Sequence, residues 1–285
     1  MRSRFPATAA FILALATATV VHAQDDAGFL DLANDFYAGP DRAVPDSRRS
    51  DLVLIPALAK MAAPPEIVST PLRAALVTPG SDAWSAASQW AAAAPQQAVL
   101  DAIRTVGEPL SVSRRFAFLL PYGEQAASKD AREAGFVIRV GEPPVLASAQ
   151  FEYLRTLNNV ASLVNVEATR LASDGKANDA ATLLVRWTLF SRQIADREFF
   201  DEKRWGVRNA VAGLERLRDL VNEYSEQFTG SGLAEVIASL SEDYIGAERL
   251  QIPRADLLAG KQIVSRAFAE RQGPSEAFGA TMARA

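Results

Sequence analysis

Cysteine is absent from this chain of 285 residues, and histidine occurs once, at His22. Each scarcity removes a class of chemistry. Without cysteine no disulfide can form, so stability must come from packing. A Cys–His dyad and a thiol-linked lipid anchor are excluded for the same reason. His22 falls inside a stretch that has the parts of a secretory signal in order. Arg2 and Arg4 are followed by an apolar run from Ala9 to Val21, and Val21-His22-Ala23 precedes the polar Gln24-Asp25-Asp26. Residues 1–23 are therefore expected to be a cleaved signal peptide, and the mature chain of 262 residues from Gln24 has no imidazole at all. A Ser-His-Asp triad is then excluded, and zinc, copper and haem lose their usual ligands. Neither a metal nor a cofactor is expected.

Long apolar runs are also missing. The signal's run is about 13 residues, short of the roughly 20 that cross a bilayer, and nothing later is longer. The expected product is secreted, periplasmic or extracellular, with no transmembrane segment once the signal is removed. Arg2 and Arg4 are not adjacent, which favours the general export route over the twin-arginine one. The chain carries 30 basic and 34 acidic residues, and loss of the two signal arginines takes the net charge from −4 to −6. That balance disfavours a nucleic-acid partner.

Proline is unevenly spread. Nine of the 15 fall between Pro40 and Pro109, so helices in residues 24–110 must be short, because an interior proline costs about 3 kcal/mol. Hydrophobic spacing places them at Ala27–Ala38, Asp51–Ala62, Ser81–Ala93 and Gln96–Val106, with Trp84 and Trp90 as packing anchors. Residues 111–147 contain two alternating stretches, Ser113–Leu120 and Phe136–Val140, that predict one small β-hairpin. Residues 148–272 are strongly helical. Phe151, Leu154, Leu157, Ala161, Val164, Ala168 and Leu171 form one stripe, and Asp174-Gly175 ends it. Ala180, Leu184, Trp187 and Ile194 form a second. A third helix, about Lys203–Phe228, carries Val207, Val211, Leu214, Leu217, Val221 and Tyr224; Leu233–Ile245 and Ala255–Ala269 follow. Leu184 and Leu214 are expected in the core, and residues 273–285 as a flexible tail. The fold class is mainly α, an irregular helical bundle.

Within Glu167–Ala195, Ala168, Leu171, Gly175, Ala180, Leu184 and Trp187 sit around a short glycine-containing turn. This pattern resembles the αα-hairpins of tetratricopeptide repeats, and Ser148–Glu223 is similar to helical regions of uncharacterised exported bacterial proteins. The resemblance implies a single tetratricopeptide-like αα-hairpin, since no second copy occurs at a period near 34 residues. An ordinary αα-hairpin of a bundle explains the same pattern.

Carboxylate chemistry, Ser–Lys chemistry and oxygen-ligated cations remain open. No Asp-x-Asp-x-Asp-Gly loop occurs, Gly260-Lys261 lacks the rest of a phosphate loop, and Gly230-Ser231-Gly232 does not continue as a dinucleotide motif. Ser173-Asp174-Gly175-Lys176 has Ser-x-x-Lys spacing, but the companion elements are absent. It lies at a helix C-terminus, the wrong end of the dipole for a nucleophile. The densest polar segment is Asp196–Trp205, which holds four carboxylates and three aromatics. It supports two readings. In the favoured one Phe199, Phe200 and Trp205 fill the gap between helices or meet a ligand and no residue is catalytic. The carboxylates, Glu198 and Glu202 among them, then point to solvent, cap the third helix or pair with Arg197, Lys203 and Arg204, exposed pairs of that kind contributing about 0–1 kcal/mol each. The protein is then a non-enzymatic exported domain that binds a protein or cell-envelope partner. In the alternative, two of Glu198, Asp201 and Glu202 act as acid and base of a glycan-cleaving hydrolase or lyase.

Overall fold

The computed structural model describes residues 26–38, 41, 43–110, 115–141, 144–241 and 252–269. Residues 1–23, expected as a signal, and residues 273–285, expected as a tail, lie outside them. The chain is an irregular, mainly α-helical bundle, and among the described residues there is no β-sheet.

The proline-rich half forms α1 (Asp26–Ala38), α2 (Ser50–Leu58), α3 (Pro71–Leu76), α4 (Asp82–Ala92) and α5 (Ala94–Val106). Here two prolines start helices. Pro71 occupies the first turn of α3, where a missing N–H costs nothing, and Thr70 Oγ1 accepts the Arg73 amide as its cap. Pro95 plays the same part in α5, which therefore begins two residues earlier than the spacing predicts. Pro56 sits inside α2, one turn from its end.

The predicted hairpin does not form. Its first stretch makes an isolated parallel bridge, Ala117 to Arg49, with Ser50 N–H donating to Ala117 O at 3.0 Å and Ala117 N–H to Arg48 O at 3.0 Å. Its second bridges Arg139 to Gln150. Alternation suggests one solvated face, yet Phe116, Ala117, Phe118 and Leu120 are all buried, as are Phe136, Val137 and Ile138. Both stretches thread between helices, so the pairing that a half-exposed hairpin would need is replaced by packing on every side. The short α6 (Lys129–Glu133) lies between them.

Three long helices make the second half: α7 (Glu152–Ser173), α8 (Ala177–Ala195) and α9 (Phe200–Glu223). The α7–α8 turn is closed by Gly175 at φ 78°, with Lys176 N–H donating to Leu171 O at 2.8 Å and Gly175 N–H to Ala172 O at 3.1 Å. Helix α9 runs parallel to α7. Trp205 Nε1 donates to Asn158 Oδ1 at 2.9 Å and Arg216 Nη2 to Thr169 Oγ1 at 2.8 Å, eleven residues further along each helix. Helix α7 is buried around most of its circumference, since α3, α4, α5, α8 and α9 all pack on it.

The third helix buries only the later part of the predicted stripe: Leu217 is buried and Val221 and Tyr224 pack half-buried against the core, while Val207 and Val211 face solvent. Its inner face is Glu202, Gly206, Asn209, Gly213, Leu217 and Leu220. A side-chain carbon on Gly206 would run into the Ala195 amide and sit 2.7 Å from Ser191 O; on Gly213 it would lie 2.6 Å from Thr188 Oγ1. The α9 backbone lies against the α8 backbone at Gly206 and against the Thr188 and Trp187 side chains at Gly213, an approach that suits glycine, turns Val207 and Val211 outward and leaves Leu214 half-buried. Leu184 is fully buried, as expected. Two further helices follow, α10 (Gly230–Ser239) and α11 (Ala255–Ala269). One contiguous hydrophobic core takes residues from Leu30 to Ala259.

Candidate functional site

The Asp196–Trp205 segment joins α8 to α9 and is more deeply buried than its composition suggests. Glu202, in the first turn of α9, is fully buried. Its Oε1 accepts from Tyr153 Oη at 2.6 Å and from Arg197 Nε at 3.0 Å, and its Oε2 accepts from Tyr122 Oη at 2.8 Å. Arg197 also donates to Leu120 O at 2.7 Å, and its guanidinium lies over the Tyr122 ring, 4.4 Å from the centroid. Tyr122 is held from the far side, where Asn34 exchanges two hydrogen bonds with its backbone at 2.8 and 2.9 Å. The cluster ties α1, the buried stretch 115–122, α7 and α9 to one carboxylate.

The electrostatics follow from that burial. Burial, and then the Glu202 charge, push both tyrosine hydroxyls well above their ordinary range, with Arg197 opposing the rise. Both remain neutral donors across the physiological range. Burial is the largest single influence and disfavours the Arg197 cation, but Glu202 together with Tyr122 and Tyr153 outweighs it and the net shift is upward. A buried charge pair of this kind is stable only with further hydrogen bonds to its surroundings, here the two tyrosine hydroxyls donating to Glu202 and the Leu120 carbonyl accepting from Arg197.

The other carboxylates are engaged separately. Glu198 takes the Arg254 guanidinium, with Nε at 3.0 and 3.1 Å from its two oxygens and Nη2 closing the fork. Asp196 pairs with Arg192 at 2.5 Å and Arg115 at 3.4 Å. Asp201 pairs with Arg204 at 2.9 Å on the surface. Lys203 Nζ donates to Ala195 O, capping the end of α8, and burial brings its pKa down. Neither Glu198 nor Glu202 occupies the exposed pair that the sequence suggests. Among the described residues, no three acidic side chains converge as cation ligands.

The aromatic candidates separate. Phe199 is buried among Tyr37, Tyr122 and Phe151. Trp205 is half-buried and meets Trp187 edge to face. Phe200 is 54 % exposed, at the head of a line of exposed α9 positions, Arg204, Val207, Arg208 and Val211. Tyr122, Tyr153 and Arg254 are the partners that sequence reasoning missed. They lie 80, 49 and 56 residues from the carboxylates they contact, and no local pattern connects them.

A second feature lies at the other side of α7. Helix α3 is packed on α7 through buried Ala74, and Asn165 Nδ2 donates to Pro71 O at 3.2 Å. Leu72 and Leu76, one turn apart, are 72 % and 71 % exposed, and nearby Ile67 is about half exposed. Beside them opens a cleft of about 660 Å³ lined by Ile67, Arg73, Leu76, Val77 and Ala83, among others. Arg73 stands at this cleft; among the described residues its guanidinium has no carboxylate partner and reaches Glu66 O at 3.5 Å. Large apolar side chains exposed together beside a concavity mark interaction surfaces more often than isolated ones do.

No family model matches the chain, and no curated protein or solved structure matches it. Among the described residues, no helix is long and apolar enough to cross a membrane.

Proposed function

We propose that this is an exported, non-enzymatic helical domain that binds a protein or cell-envelope partner through the α3 surface. The observation that carries the reading is the contrast between two regions. The segment richest in catalytic side-chain types is spent on internal contacts, with Glu202 sealed from solvent, whereas α3 spends two leucines on solvent beside an open apolar cleft. A six-residue helix gains nothing for its own fold from Leu72 and Leu76 at that exposure, so a bound apolar segment is the reason to keep them. Arg73 supplies one polar contact that orients such a segment.

Export rests on residues 1–23 and on cleavage after Ala23. The tetratricopeptide-like character of α7–α8 is supported by the tight Gly175 turn and by the parallel course of α7 and α9, the order in which successive hairpins of such repeats stack. Phe200 is the one aromatic of the junction with more than half of its surface available to a partner. The test is the size of the native complex in envelope extracts. The wild-type protein should migrate in a discrete complex, and Leu72→Glu with Leu76→Glu should return it to its own mass without loss of helicity. Unchanged migration of that variant defeats the assignment of the surface. Turnover of a polysaccharide by purified protein, abolished by Asp201→Asn, defeats the non-enzymatic reading.

A further inference from the structure

Helix α11 is attached in an unusual way: two carboxylates cap one another's helices. Glu198, just before α9, accepts the Arg254 backbone N–H at 3.2 Å as well as its guanidinium, and the Glu198 carbonyl accepts Ala255 N–H at 3.0 Å. In return Asp256 Oδ2, in the first turn of α11, accepts Phe200 N–H at 2.8 Å, at the start of α9. Further along, Gln262 accepts Leu146 N–H at 2.8 Å and donates to Pro144 O at 3.0 Å. The apolar contribution is small. Among its described side chains, α11 fully buries only two apolar ones, Ala255 and Ala259, while Leu257 and Val264 face solvent.

Next to this clasp lies Tyr37. Its ring is buried, and the charges that act on its hydroxyl most strongly are Glu198, Arg254 and Asp256, the members of the clasp themselves. Among the described residues that hydroxyl has no hydrogen-bond partner. The Arg254 guanidinium covers the neighbouring Phe36 ring at 4.8 Å.

We propose that α11 is a latch that releases as a unit while α7, α8 and α9 stay folded, uncovering Tyr37 and the Glu198 carboxylate. Three observations combine. The clasp is polar and half open to water, with the Arg254 side chain 40 % exposed, so solvent replaces its contacts readily and salt screens them. Among the described side chains of α11, two alanine methyls and the half-buried Leu258 and Ile263 are the apolar area that holds the helix down. The Tyr37 hydroxyl is unsatisfied while the latch is shut and gains water when it lifts, which favours opening. Elements with few buried apolar contacts and many polar ones are those that open below the global unfolding free energy.

Hydrogen–deuterium exchange of the full mature protein, resolved by peptide, tests this. Amides of 259–269 should exchange on the order of 100-fold faster than those in the middle of α7 and α8. Glu198→Gln and Asp256→Asn should each accelerate α11 further, by about tenfold, with α7 and α8 unchanged. Tyr37→Phe should slow α11, because the phenyl ring has no hydroxyl to satisfy. Exchange of α11 at the same rate as α7 and α8 overturns the proposal, as does an equal acceleration of every helix by the two carboxylate variants.

Discussion

Replacing Glu202 with Gln keeps the side chain's shape and removes its charge, and the consequences can be worked through atom by atom. The amide retains one acceptor oxygen where the carboxylate has two, and those two receive Tyr122, Tyr153 and Arg197. Its new NH₂ group must face at least one of those donors. Arg197 keeps its carbonyl contact with Leu120 but loses its counter-charge while remaining buried. Removing one partner of a buried pair costs about 3–5 kcal/mol, which for a chain of this size lowers the melting temperature by on the order of 10 °C. Urea denaturation followed by circular dichroism reads the effect as a lower midpoint at unchanged slope. Glu198→Gln is the internal comparison. It disturbs an ion pair whose arginine is half open to water and should cost only about 1–1.5 kcal/mol, matching the tenfold effect expected on α11 exchange. If Glu202→Gln costs less than about 1 kcal/mol, or no more than Glu198→Gln, the buried cluster is not the structural centre described above.

Gly206→Ala should destabilise by about 1–3 kcal/mol or more, because its methyl would press on the Ala195 amide and Ser191 O, whereas outward-facing Val207→Ala should change urea stability by less than about 0.5 kcal/mol. Leu184→Ala should cost about 2–5 kcal/mol and half-buried Leu214→Ala about half as much in the same assay. Stability should fall above about pH 10, where the unfolded tyrosines ionise while Tyr122 and Tyr153 stay protonated in the fold. The unfolded state then binds fewer protons than the folded one, so rising pH favours unfolding. A Tyr122→Phe, Tyr153→Phe double variant should show a shallower alkaline decline in thermal scans. Mass spectrometry of the exported protein should find an N-terminus at Gln24.

The sequence discloses the helices better than their faces. Periodicity locates α7, α8 and α9 to within a few residues, because a long amphipathic stripe survives local irregularity. It misjudges the inner face of α9, because the contact is made by Gly206 and Gly213, and the apolarity scale that finds leucine stripes is blind to close backbone approach. The hairpin error has a related cause: Phe116–Leu120 and Phe136–Ile138 alternate by chance while both of their faces are buried. At the α8–α9 junction the residue types were evident, and so was the prospect that Phe199 would pack between helices. Pairing with Arg197 was open too, but its burial and the two tyrosines were not: Glu202 reads as a surface helix-start carboxylate until the fold brings Tyr122 and Tyr153 to the same pair. Leu72 and Leu76 carry no signal of their own, since two leucines one turn apart on a short helix usually face inward.

The claim that α3 is the binding surface is tested most directly by site-specific photocrosslinking in the exporting cell, with a photoreactive amino acid placed in turn at Leu76 and at Arg218 on the outer face of α9. The account predicts one discrete crosslinked species from position 76, lost when Leu72 is changed to Glu, and none from position 218. Crosslinking from position 218 with nothing from position 76 would contradict it.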